Sequence, residues 1–83
     1  MAISIRVEKI TPDLAQRYLK LNRSNRKIRP SLIARYAAML ERGEWRSTHQ
    51  GIAFGDDGFL YDGQHRLTAV VQTGMTVEMA VAR

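Results

Sequence analysis

The apolar residues of this chain alternate between two spacings, and glycine or proline marks most of the switches. Ile3, Ile5 and Val7 alternate with Ser4, Arg6 and Glu8, the pattern of a half-buried strand. Thr11-Pro12-Asp13 reads as an N-cap, an N1 proline and a first-turn acid. Leu14, Ala15, Tyr18, Leu19 and Leu21 then form the stripe of a first helix ending near Asn22, and the polar run 22–29 reads as a loop. Pro30 opens a second helix, with Leu32, Ile33, Tyr36, Ala37 and Leu40 on one face. Gly43 fits its C′ stop. Ile52 to Phe54 and Phe59 to Tyr61 flank the turn Asp56-Asp57-Gly58 as a hairpin. Asp62-Gly63 leads into a third helix carrying Leu67, Val70 and Val71, stopped at Gly74. Val77, Met79 and Val81 alternate as a last strand. The order is β-α-α-β-β-α-β, a small single-domain α/β fold spanning 1–83. The chain ends on a strand pattern, consistent with the N-terminal part of a longer protein.

At 83 residues, such a domain buries only ~60% of the surface its unfolded chain exposes. Cysteine is absent. That excludes disulfides, thiolate metal sites and a cysteine nucleophile. No apolar run approaches the ~20 residues of a membrane span. The first residues, MAISIRVEKI, are interrupted by charge and do not form a secretory signal. These features predict a cytoplasmic protein without a membrane partner.

Charge is concentrated in the middle of the chain. Arg17, Lys20, Arg23, Arg26, Lys27, Arg29, Arg35, Arg42 and Arg46 face only Glu41 and Glu44 in that stretch, although the net charge is just +5. The flanks are mildly acidic. Arginine predominates, and its planar fork suits bidentate phosphate contact. A clustered basic surface attracts polyanions, so Arg23, Lys27, Arg29, Arg35, Arg42 and Arg46 are candidate nucleic-acid contacts. The same cations also serve as a plain solvated surface.

The segment Tyr61-Asp62-Gly63-Gln64-His65-Arg66 concentrates the candidate chemistry. It places a glycine where a strand becomes a helix. First-turn amides lack intrahelical partners, and the dipole there favours an anion. His65 and Arg66 occupy that turn, although cations there oppose the dipole by ~0.3–1 kcal/mol each. A phosphate reverses this cost. Alternatively, Asp62 caps the helix and pairs with Arg66. Arg26, Lys27 and Arg29 crowd the start of the second helix in the same way and mark a second candidate anion site, fit for a nucleotide or a DNA phosphate.

The string DGQHRLTA resembles the signature of the ParB/sulfiredoxin-like superfamily. It is nearest to ParB-like domains of phage and bacterial proteins and to DGQHR-domain proteins of DNA sulfur modification. ITPDLAQRYL, NRSNR, RYAAMLERGEW and GIAFGDDGFLYDGQHRL follow such domains in order, roughly from Ile10 to Val81. The resemblance implies a small α/β domain holding a nucleoside triphosphate, CTP in ParB proteins and ATP in sulfiredoxin, with or without magnesium. It implies that Gly63 and His65 belong to the phosphate turn and that Arg66 is the arginine shared by both signatures. It also implies that the loop carrying Asn22, Asn25 and Arg26 closes over the nucleotide, with Arg26 on a phosphate and an Asn amide on a base or ribose.

Gln64 departs from both groups. Sulfiredoxin has its catalytic cysteine there, so sulfinic-acid repair is excluded. ParB proteins have a glutamate, so metal-assisted hydrolysis lacks its acid, and Asp62 is the one candidate metal ligand left. The expected function is nucleotide-phosphate binding in DNA metabolism or modification, at Asp62, Gly63, Gln64, His65, Arg66, Asn25 and Arg26. The rival readings are a basic DNA- or protein-binding module of phage-effector type, and a weak NTPase or nuclease. A homodimer or protein partner fits the small core and the terminal strand. Trp45 reads as a plug over the core rather than a base-stacking platform. His49 reads as a loop histidine rather than a base. Tyr18 and Tyr36 read as core, and Met39, Met75 and Met79 as core or edge filler.

Overall fold

The computed structural model describes residues 4–23, 27–46 and 51–83. Its elements are β1 (Ile5–Ile10), α1 (Pro12–Leu19), α2 (Pro30–Glu41), β2 (Ile52–Phe54), β3 (Leu60–Asp62), α3 (Gln64–Thr73) and β4 (Val77–Ala82). They build a small α/β domain with a mixed four-stranded sheet ordered β1-β4-β2-β3. β4 pairs antiparallel with β1 and parallel with β2. β2 and β3 form an antiparallel hairpin with a register shift between Ala53 and Phe54.

Local chemistry sets most element ends. The Thr11 hydroxyl accepts a hydrogen bond from the Leu14 amide (3.1 Å), which caps α1 ahead of Pro12. Gly43 (φ 70°) and Gly74 (φ 68°) take the left-handed conformation that ends α2 and α3. In the β2–β3 turn, Asp57 accepts from the Phe59 amide (3.0 Å) and from the Tyr61 hydroxyl. Asp56-Asp57-Gly58 is thus a turn, with Gly58 at φ 82°.

Ile10, Ile52, Phe54, Leu60, Met79 and Val81 come from the sheet, and Ala15, Ile33, Leu40, Leu67, Ala69 and Val70 from the helices; together they form one core. Both α1 and α2 pack on α3. Tyr18, Tyr36 and Trp45 pack against this core from its rim. Tyr36 and Trp45 meet edge to face at 5.7 Å. Met79 is fully buried, whereas Met75 is exposed.

The alternation of β1 does not bury its apolar side as the sequence pattern predicts: Arg6, Glu8 and Ile10 share the face of Val81, Met79 and Val77, and Ile5 and Val7 lie on the other. Val7 lies opposite Ala80, and Ile5 opposite Ala82. Ile5 and Val7 remain 68% and 55% exposed. Among the described residues the helices pack on the face that carries Ile10, Met79 and Val81.

Two boundaries differ from the sequence pattern. The first helix stops at Leu19, and the next residues do not continue as a free loop. Asn22 forms a parallel bridge with Leu60. The Leu60 amide donates to Leu21 O (2.8 Å), and the Arg23 amide donates to Leu60 O (2.9 Å). Leu21 therefore leaves the helix stripe and seals the outer edge of β3. The second arm of the hairpin runs past Tyr61 to Asp62, which pairs with Ala53 and stays in the sheet.

Candidate functional site: the joined starts of α2 and α3

Gly63 is the N-cap of α3 at φ 111°. A Cβ there would lie 2.8 Å from Ile52 Cβ and 3.0 Å from Ile52 Cα. Glycine is required both by the backbone and by the close approach of β2. The N-cap role expected of Asp62 falls to Gly63, since strand pairing keeps Asp62 one residue short of the turn.

The next three residues point in different directions around the helix, and each reaches another segment. Gln64 is 5% exposed and accepts from Asn22 Nδ2 at 2.6 Å. His65 is 8% exposed, and its Nε2 accepts from the Arg29 amide at 3.0 Å. Arg66 donates from Nη1 to Gly51 O at 3.1 Å and lies over the Tyr36 ring at 5.0 Å. Thr68 closes the first turn by donating to Gln64 O (2.6 Å). The tip of α3 thus gathers the exit of α1, the entry of α2 and the entry of β2.

The two candidate anion sites are neighbours in space, which sequence spacing alone does not reveal. His65 in the first turn of α3 holds Arg29, the N-cap residue of α2. Neither N-cap residue, Arg29 or Gly63, makes a side-chain cap bond, and neither first turn holds an acid. Beside this junction lies an open depression of about 280 Å³, lined by Arg29, Ser31, Leu32 and Arg35. Ser31 was not singled out by sequence. It is one helical turn before Arg35, a spacing that puts both on one face.

The other named cations are dispersed. Lys27 and Arg46 are exposed. Arg42 stands 3.9 Å from Glu44. Arg23 lies over the Phe59 ring at 3.9 Å, near the hairpin turn rather than the α2 depression. Asn25, Arg26 and His49 lie outside the described residues. Among the described residues no group of three His, Asp or Glu side chains is placed to hold a metal ion, and no helix is long and apolar enough to cross a membrane.

The ordinary ionisation of two tyrosines is displaced. Burial, then the hydrogen bond to Glu8 (2.7 Å), pushes the Tyr18 hydroxyl above its usual range. The bond to Asp57 does the same for Tyr61, and in turn holds the Asp57 carboxyl below its usual range. Both pairs lie away from the α2–α3 junction and belong to the scaffold.

Fold and site together define a two-layer α/β domain with a cationic junction between two helix starts. No family model matches the chain. No curated protein matches it, and no solved structure does either.

Proposed function

We propose that this chain is a ParB-like module that binds the phosphates of a nucleoside triphosphate, in the service of DNA metabolism or modification. The reading rests on one observation: the Arg29–His65 bond brings together two helix starts whose own N-cap side chains make no cap bond and whose first turns hold no acid. Two positive dipole ends and the nearby Arg29 and Arg35 favour a multiply charged anion. The surface arginines do the holding, since the Arg29, Leu32 and Ile33 amides already have acceptors and Pro30 has no N–H. Gln64, His65 and Arg66 shape the tip by fixing the chains around it. Gln64 supplies no carboxylate for metal-assisted hydrolysis, so binding without turnover is the expected activity.

Isothermal titration with CTP, ATP and GTP in the presence of magnesium tests this. One of the three should bind, and the Arg29→Ala/Arg35→Ala double variant should weaken it at least about tenfold while remaining folded. Absence of heat with all three removes the proposal.

A second reading is favoured by the exposure of Lys27, Arg29, Arg35 and Arg46. In it these cations contact DNA backbone phosphates and no nucleotide binds. DNA affinity should then fall steeply with salt, its slope reporting the number of phosphates neutralised. A flat salt series excludes this reading.

A further inference from the structure

The sheet ends differently on its two sides. On one side, residues 21–23 run along β3 and use its outer hydrogen-bonding groups. On the other, β1 is the last strand, and among the described residues nothing pairs with its outer edge. We propose that this edge pairs with the same edge of a second copy of the chain, antiparallel and centred on Val7.

Hydrogen-bond parity fixes which groups are available. Ser4 and Arg83 exchange both backbone bonds (3.0 and 2.9 Å). The β1–β4 register continues without a shift to Ile10 and Val77. In an antiparallel ladder such pairs alternate. Arg6, Glu8 and Ile10 therefore turn their backbone groups to β4, and Ile5, Val7 and Lys9 turn theirs outward. Only registers that match these three residues to one another satisfy the outward groups.

Charge selects among those registers. Centring the pair on Val7 sets Val7 against the partner's Val7, and Ile5 against the partner's Lys9. All three outward residues then exchange backbone bonds with their counterparts. The same register sets Arg6 against the partner's Glu8 and Glu8 against the partner's Arg6. These are non-hydrogen-bonded positions, where side chains approach most closely. A slip of the centre by one residue either way sets Arg6 against the partner's Arg6, or Glu8 against the partner's Glu8. Like charges directly opposite are destabilising. The charges on an edge strand usually block pairing; here they leave one register open.

The surroundings suit it. Glu8 already accepts from Tyr18 and from Arg83 (3.2 Å), and a carboxylate has further acceptor capacity. An open hollow of about 260 Å³, lined by Ser4, Arg6, Glu8, Val81 and Arg83, leaves room beside it for an incoming guanidinium. On the opposite face, Val7 and Ile5 are exposed at the very positions the partner would cover. A twofold axis perpendicular to the sheet keeps both helical layers on the same side.

The chain lacks cysteine, so single cysteines report the register directly. Val7→Cys should oxidise to a disulfide dimer, because the two Cα atoms lie ~5.5 Å apart across the axis. Ile5→Cys should not, its two copies being ~14 Å apart along the strands. Sedimentation of the unmodified chain from about 10 to 500 µM should show a monomer–dimer equilibrium. Arg6→Glu should weaken it about tenfold. Val7→Pro, which removes only an outward amide, should abolish it with the circular dichroism unchanged. A chain that stays monomeric throughout overturns the proposal. So does a dimer that survives Val7→Pro, or equal cross-linking at positions 5 and 7.

Discussion

The two ends of the sheet meet the same problem, an outer strand with unused backbone groups, in opposite ways. At β3 the chain solves it internally: residues 21–23 bond to Leu60, Asn22 reaches Gln64, and polar side chains lie buried around Gly63. At β1 nothing among the described residues pairs with the outer edge, its inward charges sit on the rim, and Ile5 and Val7 face water while Ile10 is buried. Burial of a polar group is tolerated only where partners satisfy it. The β3 end is therefore intolerant of change by construction, and the β1 end is tolerant.

The sharpest way to break this contrast is Gly63→Val. It forces a β-branched residue into φ 111° and against Ile52. A loss of about 2–4 kcal/mol in urea unfolding is expected; a loss below 1 kcal/mol would mean that the tip is not close-packed. Next comes His65→Leu, which leaves the Arg29 amide without its acceptor and should cost about 1–3 kcal/mol. Arg66→Ala removes the bond to Gly51 and the stack on Tyr36, for about 1–2 kcal/mol. An unchanged melting temperature would free Arg66 from any scaffold role. At the other end, Val7→Ala should stay within about 0.5 kcal/mol at low protein concentration.

The smallest effects are those of pH, and they sharpen the comparison at the β1 rim. Tyr18 is displaced upward, so its neutral form is favoured in the folded state. Its contribution is complete below the ordinary tyrosine range and is lost as pH rises through the displaced value. Stability should fall in that alkaline window, and Tyr18→Phe should flatten the fall. Asp57 is displaced downward, so its contribution is present above the ordinary aspartate range and fades as pH falls through the displaced value. Amide exchange at Phe59 should quicken there while the core stays protected.

Sequence carries what is local. Thr11-Pro12, Pro30, Gly43 and Gly74 mark helix ends, because each acts on its own backbone within one turn. The sheet order is not local. Neither the insertion of β4 between β1 and β2 nor the bridge from Asn22 to Leu60 leaves a periodic trace. The site divides in the same way. The strand–glycine–helix turn is visible in Asp62-Gly63, and the unusual cations at both helix starts are visible too. Their adjacency is not, because it depends on a bond between residues 29 and 65. Nor does polarity pattern predict that Gln64 and His65 are interior, since polar residues at a helix start read as solvent-facing.

Consecutive positions on a helix are turned ~100° from one another. Gln64, His65 and Arg66 therefore act as three pegs on one post, each carrying a different strap of the chain. A run of adjacent letters of this sort is what any domain needs that hangs three connections from a single helix tip. Such a word describes joinery, and two proteins that share it share a way of being assembled before they share a cargo.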